Sequence, residues 1–164
     1  MTEDIVRTFG FLSLGTRLKR IGERLQADTQ RILDEMEVPL QAGQYAFLAA
    51  LDKLGPLTIG ELAEAVGITQ PGATRSVGKL TTLGMVSAKP GPDDLRERVI
   101  SLTAKGRKQV KRAKHEVWPR IEAAVANLCT GVSGSLLDQL DAIEDGLNAL
   151  PLAHRGAKVA AGSR

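Results

Sequence analysis

Four polar side chains recur at helical spacing near the middle of the chain: Gln70, Thr74, Arg75 and Lys79. The window from Ala65 to Pro92 that contains them has no Asp or Glu, so the local surface is expected to be positive. Arginine and glutamine pair with guanine and adenine edges, and lysine binds phosphate groups. A helix that exposes these side chains has the chemistry to read the major groove of DNA.

Two short helices must position these side chains. Thr58 and Glu61 have the T-x-x-E spacing of a capping box, which predicts a helix over residues 59–66 that the following glycine ends. Thr69 is expected to cap the second helix and is a further candidate DNA contact, with Pro71 in the first turn, where its missing N–H costs little. Two helices joined by so tight a turn predict a helix-turn-helix.

After the second helix the hydrophobic period changes from helical to alternating. Apolar residues alternate with polar neighbours, as in half-buried strands, at Val86, Ala88, Ile100 and Leu102. The turn-forming residues between them predict a protruding hairpin, or wing. In this wing Arg96 and Arg98 are expected to reach the minor groove or flanking phosphates, and Asp94 is expected to orient an arginine.

Long amphipathic helices flank this unit. Apolar residues at steps of three and four predict a helix over residues 11–36, and a second long helix is expected to begin after a cap at Thr103. Pro119 interrupts that helix, so we expect a kink there. Ser133 is expected to cap the last helix, which Pro151 ends.

The first and last of these helices carry apolar seams that a monomer would leave exposed. The predicted dimerisation residues are Leu14, Leu18, Ile21 and Leu25 in the first helix and Leu136, Leu140, Ile143 and Leu147 in the last. Because large exposed apolar stripes mark contact surfaces, we expect a second copy of the chain to cover them.

These elements predict a mainly α fold with a small β-hairpin wing, in which a winged helix-turn-helix lobe carries long dimerisation helices. The expected boundaries are an N-terminal dimerisation helix at 1–38, the DNA-binding lobe at 39–103 and C-terminal dimerisation helices at 104–150. A short helix around Phe47 that stops at Gly55 belongs to the lobe. Residues 151–164 have too little apolar surface to pack and are expected to form a flexible tail.

Two groups of residues in the chain resemble the MarR family of bacterial regulators, from about Thr8 to Leu150. The first group is Gly55-Pro56-Leu57-Thr58, Glu61-Leu62-Ala63, Gly67, Gln70-Pro71, Thr74-Arg75 and Leu80; the second is Asp94, Arg96, Leu102, Thr103 and Gly106. The resemblance implies a sequence-specific DNA-binding homodimer on a palindromic operator, acting as a repressor that a small-molecule effector releases. The chain departs from the family pattern at Gly72, Gly78 and Pro119.

The composition argues against several other classes of protein. The chain of 164 residues, 43% hydrophobic, has no apolar run long enough to span a bilayer, and its acidic amino-terminal residues do not fit a secretory signal, so we expect it in the cytoplasm. Its one cysteine, Cys129, and two separated histidines, His115 and His154, predict no metal site. No nucleophile, base and orienting acid form a motif, so we expect neither catalysis nor a cofactor.

Several of these residues have a plain structural interpretation beside the functional one. Lys79 and Arg98 can be solvated surface residues, and Asp94 and Arg96 can be a polar hairpin tip. Gly78 either allows a close backbone approach or is tolerated in mid-helix at a cost of about 1 kcal/mol relative to alanine. These alternatives stay open at the level of sequence.

Two further alternatives concern ligands and partners. Tyr45 and Trp118 can line a pocket for a small-molecule effector, although aromatic residues at helical spacing more often belong to a core. Cys129 is far from the amino-terminal position of reactive cysteines in oxidant-sensing relatives, so no redox role is expected. The winged lobe can also serve as a protein-interaction module without DNA, which the acid-free window argues against.

Overall fold

The computed structural model describes residues 4–91, 98–129 and 133–149. The chain divides into two compact units, one that ends at Glu122 and one that begins at Ala123. The helices are α1 (Ile5–Thr8), α2 (Leu14–Glu35), α3 (Tyr45–Leu54), α4 (Ile59–Val66), α5 (Gln70–Thr82), α6 (Ala104–Arg112), α7 (Trp118–Cys129) and α8 (Leu136–Ala149). The strands are β1 (Leu57–Thr58), β2 (Val86–Pro90) and β3 (Arg98–Leu102). The expected class, mainly α with a small β-hairpin, is confirmed.

The predicted helix-turn-helix is present with the predicted boundaries. Thr58 Oγ1 accepts a hydrogen bond from the backbone N–H of Glu61 at 3.2 Å, and Glu61 Oε2 accepts one from the N–H of Thr58 at 2.7 Å. Gly67 ends α4 in the left-handed conformation, with φ +71°. Thr69 Oγ1 then accepts from the N–H of Gly72 at the start of α5. Local hydrogen bonds therefore define the turn between α4 and α5.

The sheet has three antiparallel strands in the order β1-β3-β2. The predicted hairpin strands β2 and β3 pair in a register that sets Val86 opposite Leu102 and Ala88 opposite Ile100. The strand β1, in which Leu57 also lies opposite Ile100, shows no pattern in the sequence and was not predicted. A strand of two residues is too short to show alternation, so only its pairing with β3 defines it.

One face of α5 packs into the hydrophobic core of the first unit. Ala73, Val77 and Leu80 of α5 are buried with Leu62 of α4 and Ile100 of β3. Burial of these apolar side chains is the main term that fixes the helix against the lobe. The opposite face of α5 is thereby left exposed to solvent.

The start of α6 packs unusually close to the lobe. Thr103 caps this helix as predicted, and its Oγ1 accepts from the N–H of Gly106 at 3.0 Å. A Cβ on Gly106 would lie 2.0 Å from the carbonyl oxygen of Met85, so only glycine fits there without a shift. Lys105 and Arg107 add hydrogen bonds from their side chains to the carbonyl oxygens of Leu83 and Leu102.

The first long helix begins later than predicted. A 3₁₀ turn at Gly10–Ser13 precedes α2, and Phe11, predicted as the first residue of the helix, lies in this turn and is 94% exposed. Ser13 Oγ donates to the carbonyl oxygen of Val6 at 2.6 Å. This contact and the positive φ of Gly10, +52°, break the helical path before Leu14.

The interruption at Pro119 takes the form of a π-helical turn. Ala113–Val117 forms this turn between α6 and α7, and the N–H of Trp118 donates to the carbonyl oxygen of Ala113, five residues back. A proline ring clashes with the carbonyl group of the preceding turn, and the wider π turn directly before Pro119 is one known way to absorb such an interruption.

In the second unit the cap of α8 differs from the prediction. Ser135, not Ser133, caps the helix, because its Oγ accepts from the N–H of Asp138 at 3.2 Å. Gly134, with φ +78°, separates the two serines and turns the chain. The expected tail at 151–164 and the wing residues Asp94 and Arg96 lie outside the described residues. Within the described ranges, no helix has both the length and the apolar character needed to cross a bilayer.

Candidate nucleic-acid interface

The exposed face of α5 carries the side chains that the sequence analysis singled out. Exposed positions of this helix include Gln70, Thr74, Arg75 and Lys79. Thr69 lies at the cap of the same helix, where its hydroxyl oxygen already accepts from Gly72. The structure therefore brings the predicted DNA-contacting residues of this helix onto one surface, opposite its buried face.

Arg75 has no competing carboxylate in the part of the chain that the structure describes. Among the described residues, no Asp or Glu lies within ion-pair distance of its guanidinium group. Thr74, one position earlier, donates its hydroxyl proton to the carbonyl oxygen of Gln70 at 3.0 Å. Arg75 is thus free to present its planar fork of N–H donors to an external acceptor.

Lys79 is held differently from Arg75. Its Nζ donates to Oε1 of Gln41 at 3.1 Å, across 38 positions of sequence. Gln41 caps a 3₁₀ turn, Ala42–Gln44, that leads into α3. An ammonium group has three donors, so Lys79 keeps further capacity for an external anion.

Gln30 ties the same loop to α2. Its Oε1 accepts from the backbone N–H of Ala42 at 2.9 Å, and its Nε2 donates to Oδ1 of Asp34 at 2.8 Å. A polar path therefore leads from α2 through the loop before α3 to the C-terminal half of α5. Sequence reasoning missed Gln30 and Gln41, because no local pattern marks partners that are distant in sequence.

A groove of about 470 Å³ lies beside this path. Its walls include the apolar residues Val38, Leu40 and Leu83 together with Asp34 and Lys79. The groove thus opens beside the Lys79 side chain, at the end of α5 that lies farther from the helix-turn-helix turn.

The wing strands place further cations at the loop end of the hairpin. Arg98 is exposed at the first residue of β3 and lies opposite Pro90. Lys89, the preceding residue of β2, is also exposed and was not among the predicted site residues. The acid-free window that contains Lys89 was the signal that could have found it.

Tyr45 and Trp118 contact each other in the first unit. Their ring centroids lie 6.3 Å apart in an edge-to-face arrangement, and Tyr45 Oη accepts from Nε2 of Gln109 at 3.2 Å. Burial raises the pKa of the Tyr45 hydroxyl above its ordinary value. With Ala46 and Ala49 the two rings line an open groove of about 300 Å³, whose surface is mainly apolar.

The predicted dimerisation residues differ in exposure. In α2, Leu14, Leu18 and Ile21 are between 36% and 48% exposed, and Leu25 is half-buried. In α8, Leu136 and Leu140 are half-buried and Ile143 is 39% exposed, whereas the side chain of Leu147 lies outside the described set. Cys129 is a half-buried free thiol, and within the described ranges no group of three potential ligands is arranged for a metal.

The sequence of the helix-turn-helix lobe is similar to the sequences of known transcription regulators. Residues 38–97 match the model of the MarR family. Over 76 residues, 46% of this chain, the sequence is 32% identical to an HTH-type transcriptional regulator of Mycobacterium leprae. The chain spans about half of the length of that relative, 53%.

Comparisons with solved structures extend the likeness to most of the chain. The transcriptional repressor CouR, bound to a 23-mer DNA duplex, is 29% identical, with a TM-score of 0.63 over 85% of this chain and 94% of the CouR chain. A mutant MarR from E. coli, complexed with operator DNA, shares the fold at 18% identity, with a TM-score of 0.67 over 90% of this chain and 98% of the other. MarR-family proteins are transcription regulators, not enzymes. Residues 38–97 are thus similar to the MarR family, and most of the chain shares the winged fold of these solved regulators.

Proposed function

We propose that this protein is a sequence-specific DNA-binding repressor that acts as a homodimer on a palindromic operator. The observation that carries the proposal is the exposed, acid-free face of α5, on which Arg75 has no carboxylate partner among the described residues. A second helix of a helix-turn-helix enters the major groove, where such side chains meet base edges. The DNA-bound state of CouR, which has the same fold, supports this role.

Each part of the surface has a separate task in this proposal. Arg75 pairs with a guanine and Gln70 with an adenine or a phosphate, while Lys79 contacts a phosphate at the far end of α5. In the wing, Arg96 and Arg98 reach the minor groove or flanking phosphates, and Asp94 orients one of these guanidinium groups. Base contacts then supply specificity, and phosphate contacts supply most of the salt-dependent affinity.

The homodimer is supported by exposed apolar side chains at the start of the chain. Phe9, Phe11 and Leu12 are 53%, 94% and 87% exposed, and Leu18 and Ile21 on α2 continue the apolar surface. A soluble protein rarely leaves such a surface uncovered. In the proposal residues 1–38 and 104–150 form the dimer, and residues 39–103 bind DNA in the cytoplasm, where a bacterial operator lies.

The effector is proposed to bind in the groove that Tyr45 and Trp118 line together with Ala46 and Ala49. Their groove is open, mainly apolar and large enough for a small aromatic molecule. Trp118 is the sole tryptophan of the sequence, so its fluorescence reports occupancy directly. Aromatic compounds that quench this fluorescence should also release the protein from its operator.

Selection of DNA fragments from a random pool tests the function. The purified protein should enrich a palindromic sequence, and its affinity should fall steeply between about 50 and 200 mM salt, because each phosphate contact releases counterions. Failure to enrich any sequence, with binding that does not depend on salt, would contradict the proposal and favour a winged-helix protein-interaction module without DNA.

A further inference from the structure

The helix α5 contains two glycines that have different structural explanations. A Cβ on Gly72 would lie 3.2 Å from Thr69 Oγ1, the oxygen that caps the helix, so the chain itself favours a small residue there. At Gly78 a Cβ would meet no atom of the described residues within 4 Å. The described part of the fold therefore gives no reason for glycine at position 78.

Gly78 lies at the centre of the exposed face of α5. It belongs to a row of residues spaced by four, Gln70, Thr74, Gly78 and Thr82, and all of them are exposed. Such a row forms one ridge along the surface of a helix. The missing side chain of Gly78 leaves a notch in this ridge between the two threonines.

Hydrogen bonds hold the walls of the notch in place. Thr74 donates its hydroxyl proton to the carbonyl oxygen of Gln70 at 3.0 Å, and Thr82 donates its own to the carbonyl oxygen of Gly78 at 3.1 Å. Both threonine rotamers are thereby restrained against the helix. The notch is a defined feature of the surface and not a gap that a neighbouring side chain fills.

Glycine in the interior of a helix destabilises it relative to alanine, so its presence at an uncrowded position needs a reason outside the chain. The notch is flanked by Arg75 and Lys79 and lies in a window without acidic residues, which favours a polyanionic neighbour over an apolar one. We propose that the notch at Gly78 receives the wall of the DNA groove, so that the helix backbone approaches the DNA more closely than any side chain would permit.

This inference rests on the proposed DNA-binding function and adds a residue that sets the depth of insertion. The N–H of Gly78 lies inside the helix, where it is occupied by the helical hydrogen-bond pattern, so the contact is one of shape. Closer approach brings the guanidinium group of Arg75, three positions earlier on the same face, within reach of a base edge. A side chain at position 78 should therefore lower affinity without changing the preferred base at any single position.

The test compares Gly78→Ala with Gly22→Ala. Gly22 lies in α2, within the segment proposed to form the dimer, so its affinity is compared only at the wild-type dimer mass; a Cβ there also meets no atom of the described residues within 4 Å. Both variants should raise Tm by about 2–4 °C, because alanine favours the helix in each case. Only Gly78→Ala should lose affinity for the selected operator, by about tenfold, the effect of one extra carbon at a tight contact. Gly78→Leu should lose more, and light scattering should show the wild-type mass for every variant.

In Gly78→Ala the melting temperature should rise while the affinity for DNA falls. A loss of affinity therefore cannot be ascribed to a less stable protein. A Gly78→Ala variant with a raised Tm and wild-type affinity would overturn the inference and leave the proposed function intact. A wild-type protein that binds no selected DNA would overturn both. A loss of affinity shared by Gly22→Ala at the wild-type dimer mass would show that the effect does not arise at the notch.

Discussion

Lys79 Nζ donates a hydrogen bond to Oε1 of Gln41 at 3.1 Å, and this contact joins the C-terminal half of α5 to the loop before α3. The acceptor is a neutral amide, which binds an ammonium group more weakly than a charged phosphate does. Gln41 therefore holds the Lys79 side chain against the lobe through a hydrogen bond that a DNA phosphate can replace. The strength of this contact should influence how readily Lys79 contributes to binding.

The first prediction changes the acceptor of Lys79. Gln41→Glu places a carboxylate next to the ammonium group, so DNA affinity should fall and the plot of log affinity against log salt should flatten by about one unit. Gln41→Ala, the matched control, removes the acceptor and should bind at least as tightly as wild type. Fluorescence anisotropy over a salt series measures both quantities.

The role of Lys79 in this effect is checked by a double-mutant cycle. In a Lys79→Ala background, Gln41→Glu should have a smaller effect than in the wild type, because its partner is gone. An undiminished effect would mean that the new carboxylate repels DNA directly and that Lys79 does not contact a phosphate.

The second prediction separates the reading helix from the wing. Arg75→Ala should cost about 1–3 kcal/mol at each half-site and relax the preference at one base position, because a bidentate guanine contact is lost. Arg96→Ala should weaken binding according to the A·T content of the flanks and leave the core preference intact. Binding to a library of operator variants measures both effects. Unchanged affinity and unchanged salt slope in both variants would exclude contact of either element with DNA.

The third prediction concerns the pH dependence of the capping box. The Glu61 carboxylate accepts hydrogen bonds from the N–H and hydroxyl groups of Thr58, which lowers the pKa of Glu61 below its ordinary value. A carboxyl group whose pKa is lower in the folded chain stabilises the fold above its unfolded pKa, and this stabilisation is lost as the pH falls through the folded pKa. Thermal unfolding should therefore show that wild type loses its advantage over Glu61→Gln as the pH falls below about 4.

A constant difference in Tm between wild type and Glu61→Gln across that pH range would show that the charge of the Glu61 carboxylate does not contribute to the stability of the fold. Thr58→Ala provides the complementary measurement, since it removes the cap oxygen and should destabilise the protein by about 1 kcal/mol.

The fourth prediction concerns the close approach of α6 to the lobe. Gly106→Ala forces a Cβ toward the carbonyl oxygen of Met85, 2.0 Å away, so α6 must shift. Overpacking of this kind should lower the free energy of unfolding by about 1–3 kcal/mol. Gly60→Ala is the control, because its Cβ would meet the nearest atom at 4.0 Å. Urea denaturation of both variants decides the matter, and equal stability would show that α6 shifts without cost.

The fifth prediction concerns assembly. Light scattering at micromolar concentration should give the mass of a dimer, since the apolar side chains of Phe11, Leu18 and Ile21 would otherwise face water. The double variant Leu18→Glu, Ile21→Glu should shift the mass toward the monomer, whereas Lys19→Glu on the same helix should not. A monomeric wild type would contradict the proposed homodimer.

The sequence by itself determined the helix-turn-helix and its boundaries. Thr58, Glu61, Gly67 and Thr69 act on backbone groups within four residues of themselves, so their spacing in the chain already specifies where α4 ends and α5 begins. The hairpin strands were predictable for a similar reason, because alternation with a period of two is visible within a few residues. The resemblance to the MarR family added an expected fold and function, but it did not predict the position of any side chain.

The tertiary structure decided the features that depend on residues far apart in the chain. The strand β1 exists only because β3 pairs with it, and Gly106 is required only because Met85 lies against it. Lys79 meets Gln41 across 38 positions. The sequence also predicted the wrong start for α2 and the wrong cap for α8, because Gly10 and Gly134 turn the chain at points where apolar spacing and serine preference alone suggested otherwise. Local hydrogen bonds can be inferred from spacing, whereas packing distances arise only when the folded chain brings distant segments together.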